Sequence, residues 1–160
     1  IGAPFYVMEY VAGRIVADTR HFPYVLMRSV GDLEVETIDR YAEWQRRLFA
    51  WIAREGVRCV WISDIQANVP SPALRRHVTS RRGELDAEYR EWVVCELVVV
   101  YSSVVRGVFT LFRMVNPRFE VETFASLDKA LDRARARLLD AGIEALNPGA
   151  DAFVDPEPRE

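Results

Sequence analysis

The feature that most constrains this chain is a change of hydrophobic period that recurs four times. "YVLMRSV" (24–30), "VRCVWISD" (57–64), "VVCELVVVYSS" (93–103) and "RFEVETFA" (118–125) are short runs rich in β-branched and aromatic residues. Each gives way to a segment whose apolar residues recur at helical spacing. The second run is too apolar to keep a wet face, as expected of a central strand covered on both sides. Strands alternating with helical crossovers predict a mostly parallel sheet with right-handed connections. Ahead of them, "FYVMEYVAGRIVADT" (5–19) carries Ala12-Gly13 at its middle and predicts a hairpin of two short strands, which adds antiparallel pairing at one side of the sheet.

The helices are bounded by local chemistry. Ile38, Tyr41, Ala42, Leu48, Phe49 and Ile52 share one face of the first, which closes at Glu55-Gly56. Ser71 followed by Pro72 reads as an N-cap with proline at the first helical position, and Leu74, Val78, Leu85 and Tyr89 form a narrow apolar stripe behind it. Gly83 weakens the middle of that helix by about 1 kcal/mol relative to alanine. Ser102 or Ser103 caps the third helix, which stops before Asn116-Pro117; Ser126 caps the fourth, with Leu127, Ala130, Leu131, Ala134 and Leu138 inward and Gly142 as its stop.

A chain of 160 residues, half of them hydrophobic, fills one well-buried core. The reading is a single domain over 1–146, followed by "NPGADAFVDPEPRE" (147–160), a flexible tail rich in proline and acid in which Phe153-Val154 is the only pair able to dock. No internal repeat or low-complexity tract interrupts it. A net charge of -3 supplies no bulk positive field for nucleic acid or an anionic bilayer. Cys59 and Cys95 lie in apolar runs outside any Cys-x-x-Cys spacing and read as buried free thiols, a single disulfide between them being the alternative. No apolar stretch reaches the roughly 20 residues that span a bilayer, and the opening residues lack a charged leader. The expected location is therefore cytoplasmic.

Four stretches carry a family resemblance: "DTRHFPYVLMRSVGDL", "VWISDIQANVPSPALRR", "VVYSSVVRGVFTLFRMVNP" and "ETFASLDKALDRARARL", together covering roughly Asp18 to Leu139. They resemble the STAS-like family, the fold of bacterial anti-anti-sigma factors and of the cytoplasmic domains of sulfate transporters. More narrowly they are similar to a bacterial STAS-like group described jointly with CRAL-TRIO lipid-transfer domains. The resemblance implies an α/β STAS-like fold and a regulatory role without catalysis. In regulatory members a phosphate-accepting serine sits between strand and helix in an Asp-Ser-Ser-Gly-like turn. Here the turn is "DIQANVPSPALRR", where Ser71 is the only serine and lacks the neighbouring serine and glycine.

In parallel α/β sheets the loops after the strands gather at one rim, where ligands bind. That rim is expected to hold Ser29, Gly31 and Asp32; Asp64, Asn68 and Ser71; Ser102 and Ser103; and Thr123. Arg75 and Arg76 oppose the dipole of the helix they open, a cost that a bound anion or a phosphate on Ser71 would offset. The plain alternative for Ser71 is an N-cap. Arg75, Arg76, His77, Arg81 and Arg82 form a basic half-helix, read as a solvated face because no aromatic residues are interleaved for nucleic-acid stacking.

His21 and His77 have no partner at metal-ligand spacing, and no nucleophile elbow, Walker loop or dinucleotide fingerprint is present. No cofactor is implied. The helix from Val104 to Val115 has an apolar arc about twice the 100° that one sheet face requires. Its surplus flank, chiefly Val105, Phe109 and Phe112, is expected to meet neighbouring helices or to form an interface with a partner or second copy. The expected function is a regulatory or adaptor protein acting through a protein partner, with self-association as a homodimer. The alternative is a module for a small ligand, nucleotide or lipid.

Overall fold

Every strand pairs with the strand before it in the chain. The computed structural model describes residues 8–10, 13–107, 110 and 120–153. It contains β1 (Met8–Tyr10), β2 (Ile15–Asp18), β3 (Tyr24–Gly31), α1 (Val35–Glu55), β4 (Cys59–Ala67), α2 (Pro72–Tyr89), β5 (Val93–Val100), β6 (Val121–Phe124) and α3 (Leu127–Asp140). These six strands form one sheet in the order β1-β2-β3-β4-β5-β6. The two pairings among β1, β2 and β3 are antiparallel and the remaining three are parallel. The α/β fold with an opening hairpin is as the sequence predicts. A further helix begins over 103–107.

Each parallel crossover steps one place in the same direction. With right-handed connections, successive helices therefore fall on one face. On that face α1 buries Tyr41, Trp44, Leu48, Phe49 and Ile52 against Val25, Cys59 and Trp61. Val105 packs there too, against Val98, Val100 and Val121. The opposite face is covered by α3, whose Ala130, Leu131, Ala134 and Leu138 lie on Tyr24, Leu26, Val60, Ile62, Leu97 and Val99. Strand pleat sorts the two sets: even-numbered residues of β3 and β4 face α3, odd-numbered ones face α1.

Local signals end the elements where expected. Gly56 takes a left-handed φ of 64° and its N–H returns to the carbonyls of α1. Ser71 and Ser126 cap α2 and α3 through their hydroxyls. Both cysteines are free; burial pushes the Cys59 thiol up to about 12 and that of Cys95 up to about 11.

The second helix is held differently from the first. Only Leu74 and Leu85 of α2 are buried, and Val78, expected in its stripe, is exposed. Ion pairs supply the rest: Arg46 donates to Glu84 at 2.7 Å, Arg81 Nε donates to Asp39 at 3.0 Å, and His77 Nε2 lies 2.7 Å from the same carboxylate. The His77 bond, with Arg81 adding to it, holds the Asp39 carboxyl below the usual carboxylate range. A carboxyl lowered by folding stabilises above its ordinary value and loses that contribution as pH falls through the lowered one. Below about pH 4, amide exchange in α2 should therefore accelerate relative to α1, and Asp39→Asn should remove the difference. An acid response of α2 that is the same in the variant as in wild type would show that Asp39 does not tie the two helices.

The C-terminal stretch is docked over its described part. After α3 a coil leads to a single 3-10 turn, Ala150–Ala152, and Phe153 is 1% exposed within the α3-side core. The tail expected from 147 onward is thus fixed at this point. The reason is geometric: α3 lies over β4, β5 and β6, while Phe153 fills the core beside Tyr24 and Leu26 of β3.

Candidate functional site

The ends of β3 and β4 are tied together at the rim. Asn68 donates its backbone N–H to the Gly31 carbonyl at 2.8 Å and its side-chain amide to Asp32 at 2.7 Å. Gly31 has a φ of 63°, and an added Cβ would fall 2.5 Å from Arg14 Nη1, so the turn requires glycine. An open cleft of about 370 Å³ lies between the two loops, lined by Asp32, Glu34, Val35, Asn68, Val69 and Ser71 among others. Ser71 is exposed and its Oγ accepts from the Leu74 N–H at 3.2 Å. Arg75 and Arg76 are exposed one turn further on, without an ion pair among the described residues. Ser102 Oγ accepts from the Val105 N–H at 3.4 Å and caps the helix that begins there; Ser103 is exposed beside it.

Several expected members stand elsewhere. Asp64 is 1% exposed and belongs to the sheet rather than the rim. As an even-numbered residue of β4 it points to the α3 side, where it accepts from Arg28 Nε at 3.0 Å and from Gln66 Nε2 at 3.3 Å. Arg28 and Asp64 are direct cross-strand neighbours. Ser29 is buried within β3, and Thr123 is half-buried in β6. Val105, expected on the surplus flank, is half-buried against Val98, Val100 and Val121, so the outward residue is Val104, at 76% exposed. Phe109 and Phe112 lie outside the described residues.

The basic half-helix of α2 is divided as well. Arg82 turns inward to a bidentate pair with Glu96 of β5, one bond being 2.6 Å, and also keeps an ion pair with Asp86 one turn on in α2, at 3.6 Å. His77 and Arg81 are engaged by Asp39, which leaves Arg75 and Arg76 as the outward cations at the start of the helix. A second cleft, of about 320 Å³, runs past Arg82, Phe49, Trp61, Tyr89, Arg90 and Glu120. Its charges are of both signs, so it selects no single ligand sign.

The rim also carries a set of exposed apolar side chains that are not among the residues expected there. Val30 is the last residue but one of β3, Val35 opens α1, Val69 follows β4 and is 66% exposed, and Tyr101 and Val104 follow β5. Their signal in the sequence was present, as apolar residues placed just beyond strand ends. Among the described residues no group of histidine, cysteine and carboxylate side chains could hold a metal, and no helix is long and apolar enough to cross a membrane. Comparison with protein-family models, curated proteins and solved structures finds no match to this chain.

Proposed function

We propose that this chain is a STAS-like cytoplasmic regulatory or adaptor protein that works without catalysis, by docking another protein along the carboxyl rim of its sheet. The observation that carries the reading is the row of exposed apolar residues at the strand ends: Val30, Val35, Val69, Tyr101 and Val104. Exposed apolar surface rimmed by charge marks an interaction site. The outward Arg75 and Arg76 favour a partner that presents apolar side chains flanked by carboxylates. The polar groups of the rim are spent on caps and on the Asn68 tie, an arrangement suited to holding a surface rather than to reacting.

The test compares wild type with the double variant Val69→Asp, Val104→Asp by native mass spectrometry of protein taken from its own cells. A protein partner should accompany wild type and be lost from the variant, while Tm stays within the small change of a surface substitution, about 0.5 kcal/mol. The same partner on both proteins would refute the rim. A nucleotide or other small molecule in place of a partner would favour the second reading, which the cleft of about 370 Å³ supports by its size.

Ser71 is the regulatory residue of this proposal. A phosphate there would meet the free N–H groups of the first turn of α2 and Arg75 four residues on. Ser71→Ala should lose the cap, about 1 kcal/mol, whereas Ser71→Asp should keep it and gain from the helix dipole. Inorganic phosphate should raise the Tm of wild type. If phosphate changes nothing and the aspartate and wild type melt together, Ser71 is a cap alone.

A further inference from the structure

The face of the sheet away from α1 and α2 is covered in part by the chain's own residues 150–153. Residues 149–153 form a unit that needs little from its surroundings. The N–H of Ala152 is satisfied by the Gly149 carbonyl at 3.0 Å, and that of Phe153 by the Ala150 carbonyl at 3.1 Å. No main-chain ladder joins this turn to the sheet. What the sheet supplies is an apolar floor beside Tyr24 and Leu26, the His21 ring edge-on to Phe153 at 5.0 Å, and two guanidinium groups for carbonyls. Arg28 Nη1 donates to the Phe153 carbonyl, and Arg20 Nη2 to that of Ala152 at 3.4 Å.

Both arginines are already oriented by carboxylates. Arg20 is held by Asp18 through Nη2 at 2.7 Å and Nε at 3.1 Å, and Arg28 by Asp64. Arg28 thus stands on β3 and Arg20 in the turn that follows β2, each donor group held by a carboxylate as well as by the segment. Preorganised donors, one deep aromatic position and a ligand closed on its own hydrogen bonds are the attributes of a peptide slot. Asp64 Oδ1 is also buried without a hydrogen-bond partner, so the resident segment does not exhaust the polar capacity of the slot.

We propose that this slot is a peptide-binding site, occupied in the isolated chain by its own residues 150–153, and that it accepts the same segment from a second copy. The matching chemistry is inherent in the chain: a second copy carries the identical aromatic residue and carbonyl pair. The hinge is there as well. Between the end of α3 and the turn runs a coil through Leu146, 92% exposed, and Asn147-Pro148-Gly149, which joins no ladder and would serve as the hinge of an exchange. Exchange replaces each internal contact by the same contact between copies, so its main cost is that of association. The occupant differs from the protein partner proposed for the rim, and so does the surface.

The test mixes full-length wild type with full-length Phe153→Ala, one of them mass-labelled. The variant offers a slot vacated by its own ring, and a mixed dimer should appear on native mass spectrometry in excess of either homodimer. No mixed species across the accessible concentration range overturns the proposal. Should Phe153→Ala fail to fold, the measurement moves to wild type and a fluorescent synthetic peptide with the sequence of residues 147–160. Uptake at least about tenfold tighter than that of the same peptide with alanine for phenylalanine supports the slot, and equal uptake of the two overturns it. Val69→Asp, Val104→Asp should leave either result unchanged, which separates failure here from failure at the rim.

Discussion

Replacing Phe153 with alanine lowers the stability of the chain by about 3–5 kcal/mol, the usual cost of emptying a filled aromatic position in a core. The ring is 1% exposed and is the deepest side chain of the C-terminal turn. Its loss leaves a void in the core that it shares with Tyr24, Leu26 and the inward residues of α3. Urea unfolding followed by circular dichroism reads the change as a shift of midpoint at constant slope. Leu146→Ala, only a few residues earlier but 92% exposed, should stay within about 0.5 kcal/mol. If the two variants unfold together, Phe153 is not a core residue and the slot has no floor.

Asp64→Ala should cost a similar amount, about 3–5 kcal/mol, because it takes a buried carboxylate partner from the Arg28 guanidinium on a covered sheet face. The side chains are 11% and 1% exposed, so water cannot replace the lost partner. Removing both charges tells a different story. Arg28→Met with Asp64→Leu should recover most of the loss, since a buried ion pair is often no better than well-packed apolar residues of similar volume. The recovery should be incomplete by about 1 kcal/mol, because the Phe153 carbonyl then lacks its donor. Full additivity of the two single losses in a double-mutant cycle would mean that Arg28 and Asp64 do not interact.

What could be read from the sequence, and what could not, divides along the range of the interactions. Ser71, Ser126 and Gly56 act within one turn of their helix, so residue type and spacing were sufficient to place them. The α/β alternation was equally legible because the period of apolar residues is a local property of each segment. Arg28 and Asp64 lie in strands separated by α1, and their contact depends on the register of β3 against β4, which no local signal fixes. Asp64 was accordingly expected at the rim when its pleat parity turns it to the sheet face. Arg82 was assigned to solvent for the same reason: its partner Glu96 sits on β5, beyond the end of its own helix. Val104 and Val105 differ by one position on a helix apolar on most sides, where the hydrophobic pattern gives little basis for choosing which residue turns outward.

The row of exposed valines at the rim was visible as residue types but not as a surface. Each stands singly in the chain, after β3, β4 or β5, and only the parallel arrangement brings them to one end of the molecule. That also explains why the candidate polar site dissolved. The loops that meet there use Asn68, Ser71 and Ser102 to close their own backbones, and the remaining surface sets exposed apolar residues beside the outward Arg75 and Arg76 and the exposed Asp32 and Glu34.

The unbroken strand order has a consequence for how the molecule is assembled. A sheet in which each new edge accepts the strand made next can be laid down in the direction of translation, with little rearrangement of what has already formed. The exception is the clasp between Arg28 and Phe153, whose members are separated by 125 positions and cannot meet until the far end has been synthesised. Ribosome-bound intermediates should thus carry a growing ribbon whose α3 side stays open until residues 127–153 have emerged.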